Sequence, residues 1–441
     1  MLHCPRSGFL AALAFITLIS ATTLAPAAHS TLLECNLLWC RLGEAGPSNY
    51  AHCAAVFEGV LYVAGSRGVL ADTGLKHYLR VEAIDTDTGA VINSWESEAL
   101  VLGLGCSVDG YTLYVAGTLM HPNRGAPVGF IHSFTLDLTP LQRVLMEEGE
   151  ESFVLGVEAA GERVYVAKRV RVGENSSYFL ELRDSDNLSL LKRVEIPYQP
   201  TALRVNRLTG ELWVIGFNET TIMSPELSPR SKLGVGGVQV GFDNKGRAYI
   251  LNSNRILVVL GPPVSLVVGY VNATEGGEFL GLCYSPGYVV VVSRRAAPQA
   301  ADLYEHYVEV YSEDITPICL KPVEVSGELR VGVEPGGIAC GKRGFYIAGW
   351  HRLDQLVGWA IQAHELPAPP GSGLSGNTTL GVNATNTGTP QPSVVVATPQ
   401  EPGSQDKAAP KYTPPLWWLS AAVALAAFAV IAVPLLLGKR H

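Results

Sequence analysis

The sequence predicts an all-β fold: a seven-bladed β-propeller closed by an N-terminal strand, then a disordered stalk and one C-terminal transmembrane helix. Three observations predict the ring. A short apolar strand recurs seven times, a glycine turn precedes each copy, and one strand is left over ahead of the first repeat. The copies are Leu61–Gly65, Leu113–Gly117, Val164–Ala167, Leu212–Gly216, Ala248–Leu251, Val289–Val292 and Phe345–Gly349. Their central positions, 62, 114, 165, 213, 249, 290 and 346, are 52, 51, 48, 36, 41 and 56 residues apart. Strand-rich sequence recurring every 40–50 residues or so is the mark of propeller blades.

The first unit shows how a blade is written. Strand A runs near His52–Phe57, and Glu58-Gly59 turns into strand B, Leu61–Gly65. Strand C alternates through Leu79, Val81 and Ala83; Asp85-Thr86-Asp87-Thr88-Gly89 turns into strand D, Ala90–Trp95. Alternation at period two marks half-buried strands, and Asp and Gly clusters mark turns. The seventh unit has strand A near Val331–Ala339, B at Phe345–Gly349 and C at Val357–Ile361, but no fourth strand. The spare segment Leu33–Leu42 is therefore expected to supply it, which ties the chain ends together and removes an exposed edge.

The Leu-Tyr-Val-Ala-Gly strand followed by Asp-Thr-x-Thr-Gly, clearest over residues 51–95, resembles the β-propeller repeats of the YVTN and NHL type in surface-layer and extracellular proteins. The resemblance implies a propeller and a cell-surface setting, and no particular substrate. Blades four and five are shorter and match it poorly.

The ends suggest an address. Residues 1–30, with Arg6, an apolar run from Gly8 to Leu24 and small residues at 25–30, read as a signal peptide. Residues 31–366 form the ectodomain. Residues 367–415, rich in Pro, Gly, Ser, Thr and Asn and apolar only at Val394–Val396, read as a glycosylated stalk. Residues 416–437 are uncharged and long enough to cross a bilayer, with Trp417 and Trp418 at one interface; Lys439 and Arg440 in the tail 438–441 remain inside. The expected topology is single-pass in the cell membrane with the N-terminal domain extracellular. Sequons at Asn175, Asn187, Asn218, Asn272, Asn377 and Asn383 fit that side.

The formal charge is −8, and Arg6, Lys439 and Arg440 lie outside the ectodomain, so the exterior part is more acidic still. That disfavours nucleic acid as a partner. Seven cysteines survive signal removal: Cys35, Cys40, Cys53, Cys106, Cys283, Cys319 and Cys340. In an exported protein they are expected to pair, leaving an odd one. Neighbouring strands across each boundary suggest Cys319–Cys340 and Cys40–Cys53.

The cations after strand B are the patterned polar feature: Arg67, Arg124, Lys168, Arg169, Arg255, Arg294, Arg295, His351 and Arg352. If the B–C loops share one face, these groups gather at one channel mouth and suit carboxylates, phosphates or acidic sugars. No metal and no cofactor are expected: the histidines lack ligand spacing, and the paired aspartates lack the rest of a calcium loop. No nucleophile elbow or HExxH helix occurs. The expected function is a binding or interaction module at the cell surface, for a cell-envelope protein or an acidic glycan. The alternative is an extracellular propeller enzyme, such as a lyase, lactonase or quinoprotein-like dehydrogenase, with its site at the channel mouth.

Overall fold

The computed structural model describes residues 35–72, 74–121, 123–261, 266–273, 277–297, 300–323, 334–353, 356–367 and 393–396. All lie in the unit Met1–Ala397, and every regular element among them is a strand. The expected signal peptide, the expected transmembrane segment 416–437, the expected stalk apart from Pro367 and 393–396, and the sequons Asn377 and Asn383 lie outside the described residues. Among the described residues no helix is long and apolar enough to cross a membrane.

The strands form seven sheets, antiparallel throughout except at one added edge strand. Blade one is β2 (Tyr50–Phe57), β3 (Val60–Ala71), β4 (Gly74–Asp85) and β5 (Val91–Glu98), and β1 (Leu37–Gly46) precedes it. Blade two is β6 (Val101–Asp109), β7 (Thr112–Met120), β8 (Pro127–Thr135) and β9 (Pro140–Met146). Blade three is β10 (Glu151–Ala160), β11 (Arg163–Val172), β12 (Asn175–Asp184) and β13 (Leu190–Ile196). Blade four is β14 (Pro200–Asn206), β15 (Glu211–Gly216), β16 (Thr220–Met223) and β17 (Pro229–Leu233). Blade five is β18 (Gln239–Phe242), β19 (Ala248–Asn252), β20 (Arg255–Leu260) and β21 (Leu266–Asn272). Blade six is β22 (Gly277–Ser285), β23 (Tyr288–Ala297), β24 (Ala300–Ser312) and β25 (Pro317–Pro322). Blade seven is β26 (Glu334–Cys340), β27 (Gly344–Leu353) and β28 (Leu356–Glu365), completed by β1.

The spare N-terminal strand closes the ring as expected. β1 pairs antiparallel with β28, from Leu37↔His364 to Gly46↔Val357. The first strands of the blades contact one another in a closed circuit, β2 to β6, β10, β14, β18, β22, β26 and back to β2. They therefore form the inner wall.

Burial explains the repeated motif. Leu61, Tyr62, Val63 and Ala64 are all 0–1% exposed because strand B meets a neighbouring blade on each face. A strand buried on both faces reads as a continuous apolar run. The outer strand β5, by contrast, is exposed or half-exposed along its length. The glycine closing the motif has a separate cause. Strand A bulges opposite it, between Ala51 and Cys53 in blade one. A Cβ on Gly65 would stand 2.1 Å from the Tyr50 carbonyl oxygen, and one on Gly117 2.0 Å from that of Gly103.

The central aromatics join blades. The Tyr62 hydroxyl donates to the Leu136 carbonyl in the C–D turn of blade two, at 3.1 Å. Tyr114 donates to Ser185 in blade three and Tyr165 to Pro225 in blade four, each at 3.1 Å. Tyr249 donates to Glu313 in blade six at 2.8 Å. Trp213 has no hydroxyl, and its ring packs beside Gly261 at the start of the blade-five turn. In blade six Val290 occupies the central position, and Tyr288 donates instead to Pro367 beyond β28 at 2.7 Å. At the seam, Trp39 Nε1 donates to the Thr86 carbonyl at 2.9 Å.

One segment of the expected stalk is ordered against the ring. Ser393–Val396 forms β29, parallel to β1 on its outer edge.

Candidate binding surface

The inner strands enclose an axial channel of about 560 Å³. Ala54, Ser107, Val205, Val240, Leu282 and Ala339 contribute to its wall, so small and apolar side chains dominate where inner strands crowd together. Its charged groups are held by partners. Glu158 accepts from Arg204 Nη1 at 3.0 Å and Ser107 Oγ at 3.5 Å. Asp243 is ion-paired with Arg247 and accepts from the Tyr249 hydroxyl at 3.2 Å. Arg207, more exposed, reaches Asp109 at 2.8 Å.

Two further hollows flank the seam between blades seven and one. A small one of about 140 Å³ is lined by Arg41, Arg67, Arg80, Glu44, Glu82 and Trp359. Buried Glu82 binds both Arg41 and Arg80, and Arg67 reaches Glu44 at 2.9 Å and Glu96 at 3.2 Å. On the face carrying the A–B turns, a wider hollow of about 820 Å³ spans blades six, seven and one. Arg343 and Asp87 face each other there at 3.4 Å.

The cations expected on loop tips lie mostly on strands. The B–C hairpins run on past the motif glycine, in blade one as far as Ala71↔Gly74. Of the nine, Arg124 alone is in a loop, where it pairs with Glu147 at 3.1 Å. Lys168 is fully buried between Glu148 and Glu181, and Arg183 binds the same Glu181. Arg294 pairs with Glu278 at 2.7 Å and Arg295 with Glu309 at 3.5 Å. Arg169 lies over Phe153 and Arg255 over Tyr270, at 4.1 and 5.7 Å from the ring centroids. His351 is 2% exposed, and burial lowers its pKa. The side chain of Arg352 lies outside the described residues. The structure thus spreads these groups over several blades, most with an acidic or aromatic partner in their own sheet.

Histidine burial reinforces this. Burial pushes His52 to about 4, and burial followed by a nearby arginine takes His132 and His306 to about 4. His364 falls to about 3 by burial, aided by Lys321. Neutral imidazoles occupy these sheets.

The cysteine pairing differs from expectation. The bonds are Cys35–Cys319, Cys53–Cys106 and Cys283–Cys340, with Cα separations of 6.1, 5.8 and 5.6 Å. Neither Cys319–Cys340 nor Cys40–Cys53 forms. Cys319 is on an outer strand and Cys340 on an inner one, at opposite radial ends of their sheets; Cys40 and Cys53 stand in the same relation. Bonds instead join positions of equal rank: inner strand to inner strand for blades one and two and for six and seven, and, for six and seven, Cys35 just before outer strand β1 to Cys319 on outer strand β25. Cys40 remains the odd thiol; burial raises its pKa to about 11. The four sequons on the ring, Asn175, Asn187, Asn218 and Asn272, are exposed.

Fold and surface together define a seven-bladed β-propeller. The chain is similar to the β-propeller domain of Myceliophteria thermophila Cps50 (Swd1), with TM-score 0.50 and 13% identity, covering 76% of this chain and 100% of that one. A chain of a mitotic checkpoint complex gives TM-score 0.46 and 15% identity, covering 77% and 96%. At such identities the likeness extends to the fold alone. No protein-family profile and no curated protein matches the sequence.

Proposed function

We propose that this protein is a membrane-anchored extracellular propeller that binds a protein partner at the cell surface. The observation that carries the reading is the set of three disulfides, two joining blade six to blade seven and one joining blade one to blade two. Such bonds persist in oxidising compartments, which supports an exported ring. The signal-like N-terminus, the apolar segment 416–437, the exposed sequons and the likeness of the repeat register to surface YVTN/NHL propellers support the same address. A rigid ring presenting loops on two faces suits protein recognition. A protein partner is favoured over an acidic glycan because Arg67, Arg124, Lys168, Arg294 and Arg295 already face carboxylates. An anionic ligand would have to displace them.

The test has two arms. Protease added to intact cells should remove the ring while leaving a short membrane-bound fragment; full protection of the ring would overturn the address. Crosslinking of the full-length protein in native membranes should yield a defined partner adduct. Capture of acidic polysaccharide alone would overturn the choice of a protein.

A further inference from the structure

We infer that the outer edge of β1 is an acceptor for an extended, uncharged, β-branched peptide segment, and that Ser393–Val396 is its resident occupant, a detachable strap. β1 uses one edge to close the ring against β28. On its other edge Trp39 pairs with Ser393, Cys40 with Val394, Arg41 with Val395 and Leu42 with Val396. Among the described residues β1 is the one outer strand that carries a further strand; β5, β9, β13, β17, β21 and β25 end their sheets.

The sequence of the occupant fits the task. Val394–Val396 is the one run of three β-branched residues between Pro367 and Pro415, and such residues favour a pleated, half-covered surface. Residues 391–398 carry no charge. Pro392 and Pro399 bracket the segment. Proline lacks the donor that a longer ladder needs, so the strap stays short and exchangeable. The 25 residues from 368 to 392 span roughly 80 Å when extended, ample to place the strap in cis. Tethering gives it a high effective concentration, so a foreign segment must compete with it. Strand addition to an exposed edge is an established mode of peptide recognition. This deepens the proposed binding role by naming the chemistry of the partner's segment, and rests on that role only for the partner; the edge itself is testable without one.

Register gives the decisive test. In the ladder Cys40 is opposite position 394 and Arg41 opposite position 395, so the register predicts that a cysteine at 394, and not one at 395, is placed to bond Cys40. In the full-length protein in detergent, a disulfide oxidant should join Cys40 to position 394 and leave 395 unjoined, read by peptide mass mapping. Equal joining at both positions, or none at either, overturns the docking. In a Val394→Gly, Val395→Pro, Val396→Gly variant, amide exchange at Trp39–Leu42 should rise at least tenfold while β28 amides stay protected. A labelled peptide of residues 391–398 should then bind this variant and not the parent. Unchanged exchange, or equal peptide binding to both, overturns the acceptor edge. The cysteine result decides the matter by itself if the triple variant loses its β28 protection.

Discussion

Tyr62 of blade one donates its hydroxyl to the carbonyl of Leu136 in blade two, 3.1 Å away. The repeated aromatic is thereby a link between blades as well as core. Tyr114, Tyr165 and Tyr249 repeat the geometry, and Tyr288 restores it where blade six has valine at the centre. Replacing Tyr62 or Tyr165 by phenylalanine keeps the ring and removes the donor, leaving a half-buried carbonyl without its partner. Each substitution should cost about 1–2 kcal/mol, read as a lower denaturant midpoint. An unchanged midpoint would show that water replaces the link.

Leu188 occupies the left-handed region at φ 57° and is 0% exposed. Leu138, Leu227 and Ile315 hold the same conformation in the C–D turns of blades two, four and six. Burial of the side chain outweighs backbone strain of about 1–2 kcal/mol. Leu188→Ala should cost about 2–5 kcal/mol through the cavity it leaves and keeps the strain. Leu188→Gly loses the same packing but relieves the strain, so it should be the milder of the two by about 1 kcal/mol. The reverse order in thermal or chemical unfolding would contradict this account.

Lys168 and Glu181 are both fully buried, with Arg183 and Glu148 completing the cluster. Lys168→Met leaves Glu181 with Arg183 as its remaining cation and removes the donor to its other oxygen, and should cost about 1–3 kcal/mol. Adding Glu181→Leu should restore little unless Arg183 is also replaced, because Arg183 then loses its acid. A double-mutant cycle measures that coupling.

The disulfides should survive isolation of the protein. Non-reducing peptide maps should show Cys35 with Cys319, Cys53 with Cys106, and Cys283 with Cys340, while Cys40 is alkylated only after unfolding. Removing Cys35–Cys319 by paired serine substitution should lower stability by about 2–5 kcal/mol. A map showing Cys319 with Cys340 would restore the pairing expected from chain order.

Acid should loosen the ring through its histidines. His52, His132 and His306 have folded pKa values near 4 against an ordinary value of 6.5. Between those limits the unfolded chain binds more protons, so stability rises with pH. The contribution is complete above about 6.5 and lost progressively toward pH 4. Melting temperature should fall over that window, and His132→Gln should flatten the slope. A flat profile in the parent protein would count against buried neutral imidazoles.

The sequence by itself determined the ring: seven apolar strands, their glycine turns and the unpaired N-terminal strand were enough to fix blade number and closure. That worked because a strand covered on both faces must be continuously apolar, and an open sheet edge must find a partner. Tertiary structure decided what touches what between blades. Cys319 and Cys340 belong to consecutive strands yet stand at opposite radii, so order along the chain misdirected their pairing. Lys168 and Arg67 look like loop cations, but their hairpins extend past the apolar motif and bring carboxylates alongside. The Tyr62–Leu136 link and the left-handed Leu188 are equally invisible in one dimension, because each depends on where the next blade's C–D turn falls.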